Sequence, residues 1–163
     1  MNKTDILIME MFEFNAGEPE LIQHFIKVHC LAKLIGDMEN VPEPIMAVIE
    51  AAAIVHDIGI KVSMEKYGLS NGKLQEQEGP VYAQKMLERQ GFPQELIARV
   101  CYLVAHHHSY TDIDGIDYQI LVEADFLVNF FENNNSKASI ENTFEKIFRT
   151  EAGKALCRQM YGI

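Results

Sequence analysis

Apolar residues recur at helical spacing through most of the chain, with proline or glycine at the joins, which predicts a run of helices and no strand. From Pro19, well placed at a helix start, Leu21, Phe25, Val28, Ala32 and Ile35 form one stripe that ends near Gly36. His24 lies on the edge of that stripe. The next helix begins around Pro42 to Pro44 and reads IMAVIEAAAIVHD, apolar almost all round. It is therefore a central helix, and it stops at Gly59 with His56 and Asp57 in its last turn. The segment IKVSMEKYGLSNGKLQEQE loses the periodicity and carries two glycines, two serines and three lysines, so a loop or lid is expected there.

Helices resume from about Gly79 to Gln90, and again from Pro93 to the triple histidine, where Leu96, Val100, Leu103 and His107 share a stripe. After SYTDIDG a helix from about Ile116 to Glu132 carries ILVEADFLVNFF, apolar nearly all round, with Asp125 in its middle. The polar cluster Asn133 to Ser136 ends it, and the remainder suits one or two amphipathic helices bracing the core. The fold class read from this pattern is all-α, a single multi-helix domain over 1–163 with its motif-bearing part at about 20–135. There is no internal repeat and no low-complexity tract.

Composition narrows the chemistry. The 163 residues, 48% hydrophobic and 23% charged, are enough to bury a core and far from the disordered regime. Lys and Arg total 14 against 24 Asp and Glu, a net charge of -10, and no basic stripe is gathered to neutralise a duplex. Bulk nucleic acid is thus not an expected partner. An acidic protein that handles an anionic substrate must supply positive charge locally, and a bound metal is a direct way to do so. Cys30, Cys101 and Cys157 are odd in number and widely spaced, which reads as reduced interior thiols and a cytoplasmic setting. The N-terminal apolar stretch, broken by Asp5 and Glu10, matches neither a signal peptide nor a membrane span.

Two carboxylates stand where helices disfavour them. Asp57 falls at the negative end of a buried helix, a placement that costs several tenths of a kcal/mol or more, at roughly the scale of the macrodipole effect, and that a nearby cation would reverse. His56 beside it offers a ring nitrogen, although a lone His-Asp pair would more often be an ordinary capped helix end. Asp125 is set among apolar neighbours in a helix without Lys or Arg, so a cation or a network of donors must stabilise it. His106, His107 and His108 spread their rings around a helix end. Not all three can reach one point; His107 continues the buried stripe, His106 comes next, and His108 reads as solvated.

The order His24, then His56-Asp57, then Asp125, in the settings HFIKVHCLAKLIG, AAAIVHDIGI and LVEADFLVN, resembles the H…HD…D signature of the HD-domain superfamily. The resemblance implies a helical metal-dependent phosphohydrolase that holds one or two divalent ions (Mn, Fe, Ni, Co, Zn or Mg) with His24, His56, Asp57 and Asp125. It implies a small phosphorylated substrate, nucleotides among the candidates, and no membrane partner. Asp57 would also act in catalysis. His29 does not fit the frame of the first ligand. In two-metal relatives another ligand precedes the fourth helix, where this chain has Glu76, Gln77 and Glu78; Glu78 is the candidate replacement, with His107 and His106 as further ligands and His107 as a proton donor. Many relatives carry a lysine shortly after the HD pair, whereas here Ile60 takes that place and Lys61 follows one later as the candidate phosphate-binding group. A diiron oxygenase and a non-catalytic nucleotide- or metal-binding sensor are the competing functions.

Overall fold

The computed structural model describes residues 1–163 and contains nine helices, joined by short turns, with no strand. They are α1 (Lys3–Phe14), α2 (Pro19–Met38), α3 (Glu43–Val55), α4 (Gly59–Tyr67), α5 (Gly72–Arg89), α6 (Gln94–His106), α7 (Ile116–Glu132), α8 (Lys137–Ile147) and α9 (Glu151–Tyr161). The all-α expectation holds. Local chemistry explains most of the starts: Pro19 opens α2, while side chains of Asn71, Ser136 and Thr150 accept the free backbone N–H groups at the heads of α5, α8 and α9.

Helix α3 is the hub, packed against α1, α2, α6 and α7. Its residues Ala51 to Val55 are buried without a gap, which is why its sequence is apolar all round rather than striped. The three alanines in that run let neighbouring helices approach closely. One cluster of 32 buried apolar residues runs from Leu7 in α1 to Cys157 in α9.

Two expectations need correction. The segment expected as a loop or lid after Gly59 is mostly helix, since α4 fills 59–67 and α5 begins at Gly72. Only residues 68–71 turn, with Gly68 at φ +70° closing α4 and Asn71 capping α5. Helix α5 therefore starts seven residues earlier than Gly79 and carries Pro80 inside it. The N-terminal apolar stretch is itself a helix, α1, secured by a reciprocal capping box between Asn2 and Asp5. Finally, all three cysteines are free, but Cys30 lies exposed on α2 rather than in the interior. No helix is long and apolar enough to cross a membrane.

Two glycines set how closely α4 meets α5. A Cβ on Gly59 would stand 2.6 Å from the Gln75 carbonyl oxygen and 3.0 Å from the Gly79 nitrogen, so the two backbones nearly touch there. On α7, the fully buried Glu123 faces away from solvent and accepts the backbone N–H groups of Arg149 and Thr150 at 2.6 and 3.0 Å, together with the Thr150 hydroxyl and the Gln119 amide. That carboxylate holds the head of α9 against α7.

Candidate metal centre

His24 from α2, His56 and Asp57 from the turn between α3 and α4, and Asp125 from α7 meet in the interior, each at most 6% exposed. One ligand atom from each lies within 4.8 Å of all the others. The His24 Nε2 stands 3.2 Å from Asp125 Oδ1, 3.4 Å from Asp57 Oδ2 and 3.2 Å from the His56 Nε2. The His56 Nε2 is 3.5 Å from each carboxylate. Every one of these donors therefore points at a common centre.

The local chain explains the aim of each ring. His56 terminates α3 and bends back so that its Nδ1 donates to the Ala53 carbonyl at 2.9 Å, one of the helix-end acceptors that no backbone N–H reaches. His107, which terminates α6, does the same with the Val104 carbonyl at 3.0 Å. In both, the far nitrogen is thrown forward into the site. His24 sits within α2 and has no such carbonyl; its Nδ1 donates instead to Glu132 at 2.9 Å. Asp125 is steadied from its own helix by the Asn129 amide, 2.9 Å from Oδ1.

The electrostatics follow from burial set against pairing. Burial alone would drive the His24 proton off, but Asp125 and Asp57 outweigh it and its pKa is pushed up to about 11. His56 responds in the same way, chiefly to the charge of Asp57, and rises to about 9. Burial disfavours charge on Asp57 and Asp125 too, yet the facing histidines hold both carboxyls well below their usual range. Two imidazole nitrogens and two carboxylate oxygens, all buried and converging, form a donor set suited to a divalent ion. Without one, protons must hold the site together.

Metal binding should therefore expel protons. At pH 7.5 we expect about two to be released per ion, one from each of His24 and His56, because a ligating nitrogen must be unprotonated. Calorimetry in buffers of differing ionisation enthalpy measures this directly, and zero release would refute the assignment of the two rings as ligands. The sign for the metal-free protein is opposite. Raised histidine pKa values stabilise the fold fully below about pH 6.5 and cease to do so as pH climbs through about 9 and about 11. Metal affinity should thus rise over the pH range in which the metal-free protein weakens.

A second group adjoins the first through Asp57, whose Oδ1 is 2.9 Å from His107 Nε2 and 3.6 Å from His108 Nε2. His108 is held there by Gln75 at 2.5 Å, and its backbone N–H donates to Glu76 at 3.1 Å. His106 is absent from the group: its Nδ1 donates to the Tyr102 carbonyl and its ring stacks on Tyr102. The helix ends at His106, so the chain turns and delivers His108 instead. Glu78 also lies outside, engaged by Lys66, Tyr67 and Gln77. Lys61 points elsewhere, donating to the Phe14 carbonyl at 2.7 Å over the Phe14 ring, because its position on α4 faces α1. His29 pairs with Glu50 at 3.1 Å, away from the centre. The residues that sequence reading missed are His108, read as solvated, and the polar partners Glu132, Asn129, Gln75 and Glu76, whose meaning depends on tertiary placement.

The HD domain family model matches residues 21–148. Among solved structures, a predicted HD superfamily hydrolase from an uncultured Thermotogales bacterium shares the fold with a TM-score of 0.65 at 23% identity, covering 96% of this chain and 82% of that one. No curated protein matches the chain. With the matched span enclosing every residue of the buried His24, His56, Asp57 and Asp125 cluster, the chain belongs to the HD domain family.

Proposed function

We propose that this protein is a metal-dependent phosphohydrolase acting on a small phosphate ester, with nucleotides among the candidate substrates. The observation that carries the reading is the inward convergence of four buried side chains, with the outward nitrogens of both histidines already tied to other partners. A divalent ion held there supplies Lewis acidity toward water and toward a phosphoryl oxygen. The protein's own groups then have definable tasks. Asp57 presents one oxygen to the His24 and His56 side and the other to His107, so it fixes the geometry between the two groups.

With the first group alone filled, His107 and His108, beside the outer oxygen of Asp57, are placed to hold or deliver a proton to the departing alcohol oxygen as the P–O bond breaks; with a second ion bound, His107 would serve as its ligand instead. Burial, with the charges of Asp125 and Asp57 added to it, raises the Tyr110 hydroxyl pKa above its ordinary value, so it stays a hydrogen-bond donor well into the alkaline range. Neither Lys61 nor Lys66 faces the centre, so the substrate's negative charge must be met by the ion and the histidines.

The test is a screen of nucleotides and other phosphomonoesters and diesters against several divalent ions. Metal-dependent release of phosphate or nucleoside is expected, and inactivity with every pairing would overturn the reading. The group of Asp57, His107 and His108 also favours a second reading, a dinuclear iron oxygenase, which consumption of dioxygen by the iron-loaded protein would reveal. Because that group has fewer ligands and a partly exposed His108, we expect one tight ion and a weaker second one. His107→Ala should remove the second alone; loss of both would place His107 in the first group.

A further inference from the structure

We propose that Glu132 is a positioning residue for the metal ligand His24, and that Lys27 in turn fixes Glu132, forming a relay from an open cleft to the buried centre. The proposal rests on the reading of His24 as a ligand. Glu132 is the last residue of α7 and lies two helical turns beyond Asp125, so both carboxylates project from the same side of that helix. One Glu132 oxygen accepts from His24 Nδ1 at 2.9 Å, and the other meets the Lys27 ammonium at 2.6 Å. Lys27 is one turn beyond His24 on α2, which brings its side chain to the same face.

The chemistry requires such a partner. An imidazole can ligate through Nε2 only while Nδ1 carries the remaining proton, and a carboxylate on Nδ1 fixes that tautomer, the plane of the ring and the basicity of the ligating atom. His56 and His107 obtain the same service from the backbone carbonyls of Ala53 and Val104. His24 alone among them depends on a side chain.

A second observation argues against a chance contact. Glu132 occupies the final turn of α7, where the macrodipole disfavours a carboxylate. Its placement is offset by two cationic or proton-donating partners that converge on its two oxygens. Lys27 and Glu132 both line a cleft of about 400 Å³ with Pro19, Glu20 and Gln23, so the outer end of the relay is open to solvent while its inner end, His24, is 5% exposed.

The experiment measures Co²⁺ affinity by chelator competition, and the absorption band of the Co²⁺-loaded protein, for wild type, Glu132→Gln, Lys27→Met and a control, Glu50→Gln, which removes the partner of the distant His29. We expect Glu132→Gln to bind Co²⁺ about 10- to 100-fold more weakly, with a shifted band, as for loss of other outer partners of metal-bound histidines. Lys27→Met should weaken binding less, in the same direction, and Glu50→Gln should match wild type. Wild-type affinity and spectrum in Glu132→Gln would overturn the relay while leaving the metal centre standing. If the wild type itself bound no Co²⁺, the metal-centre reading would fall and the relay with it. Should Glu132→Gln not fold, Lys27→Met decides the matter: unchanged affinity there refutes the relay.

Discussion

Asp57→Ala is expected to lower metal-dependent hydrolysis by roughly a thousand-fold or more, the scale seen when a central electrostatic anchor of an active site is removed. Asp57 is the one residue common to both groups of potential ligands, so its loss leaves three donors on one side and two histidines on the other. The fold should survive. His56 and His107 remain tied to the Ala53 and Val104 carbonyls, so the turns that carry them keep their hydrogen bonds. Circular dichroism of the metal-free variant should show a helical protein, while metal analysis shows depleted binding. Retention of wild-type turnover would remove Asp57 from the mechanism.

The second large effect lies in the backbone. Gly59→Ala should destabilise the protein by about 3 kcal/mol, at the upper end for overpacking, and should weaken metal binding as well. The new Cβ would meet the Gln75 carbonyl at 2.6 Å and Cα at 3.0 Å, atoms that cannot rotate away as a side chain can. Helix α4 must then move from α5. The start of α4 is two residues from Asp57, and Gln75 holds His108, so the displacement reaches both groups of ligands. Gly68→Ala is the control: its φ of +70° is strained for alanine, but open space surrounds it, so a loss of about 1 kcal/mol with unchanged metal affinity is expected. Denaturant unfolding of both variants measures the difference, and equal losses would contradict the close-approach argument.

The helical class, the central position of α3 and the need of Asp125 for a partner were legible from local pattern, whereas the grouping of His24 and His56-Asp57 with it came from the resemblance to the HD-domain signature. A helix apolar on all sides must be interior, and an acid within it must find a cation or donors. The same logic applied to Glu123 as much as to Asp125. Its donors, however, are backbone groups at Arg149 and Thr150, which no side-chain pattern advertises. Helix α4 was hidden because it is nine residues long and its neighbourhood is dense in turn-forming residues, which serve there as caps at Gly68 and Asn71 rather than as a lid.

The triple histidine shows a different limit. Helical periodicity placed His107 on the buried stripe, where its ring meets Asp57, but its neighbour His106, read as a further ligand, is turned outward onto Tyr102. Since α6 ends at His106, the rotation per residue ceases to apply, and His108 is carried inward by the turn that Gln75 and Glu76 hold. Lys61 was misplaced for a related reason. Its distance along the chain from Asp57 is small, but α4 starts in between and directs its side chain to Phe14.

Helix α7 carries two buried anions two residues apart, and they look in different directions: Asp125 toward the histidines, Glu123 toward the head of α9. Turning α7 about its own axis would draw both away from their partners at once. The C-terminal segment thus acts as a key that fixes the angular setting of this helix, and the residues from Arg149 onward help to aim Asp125 although none of them approaches the centre.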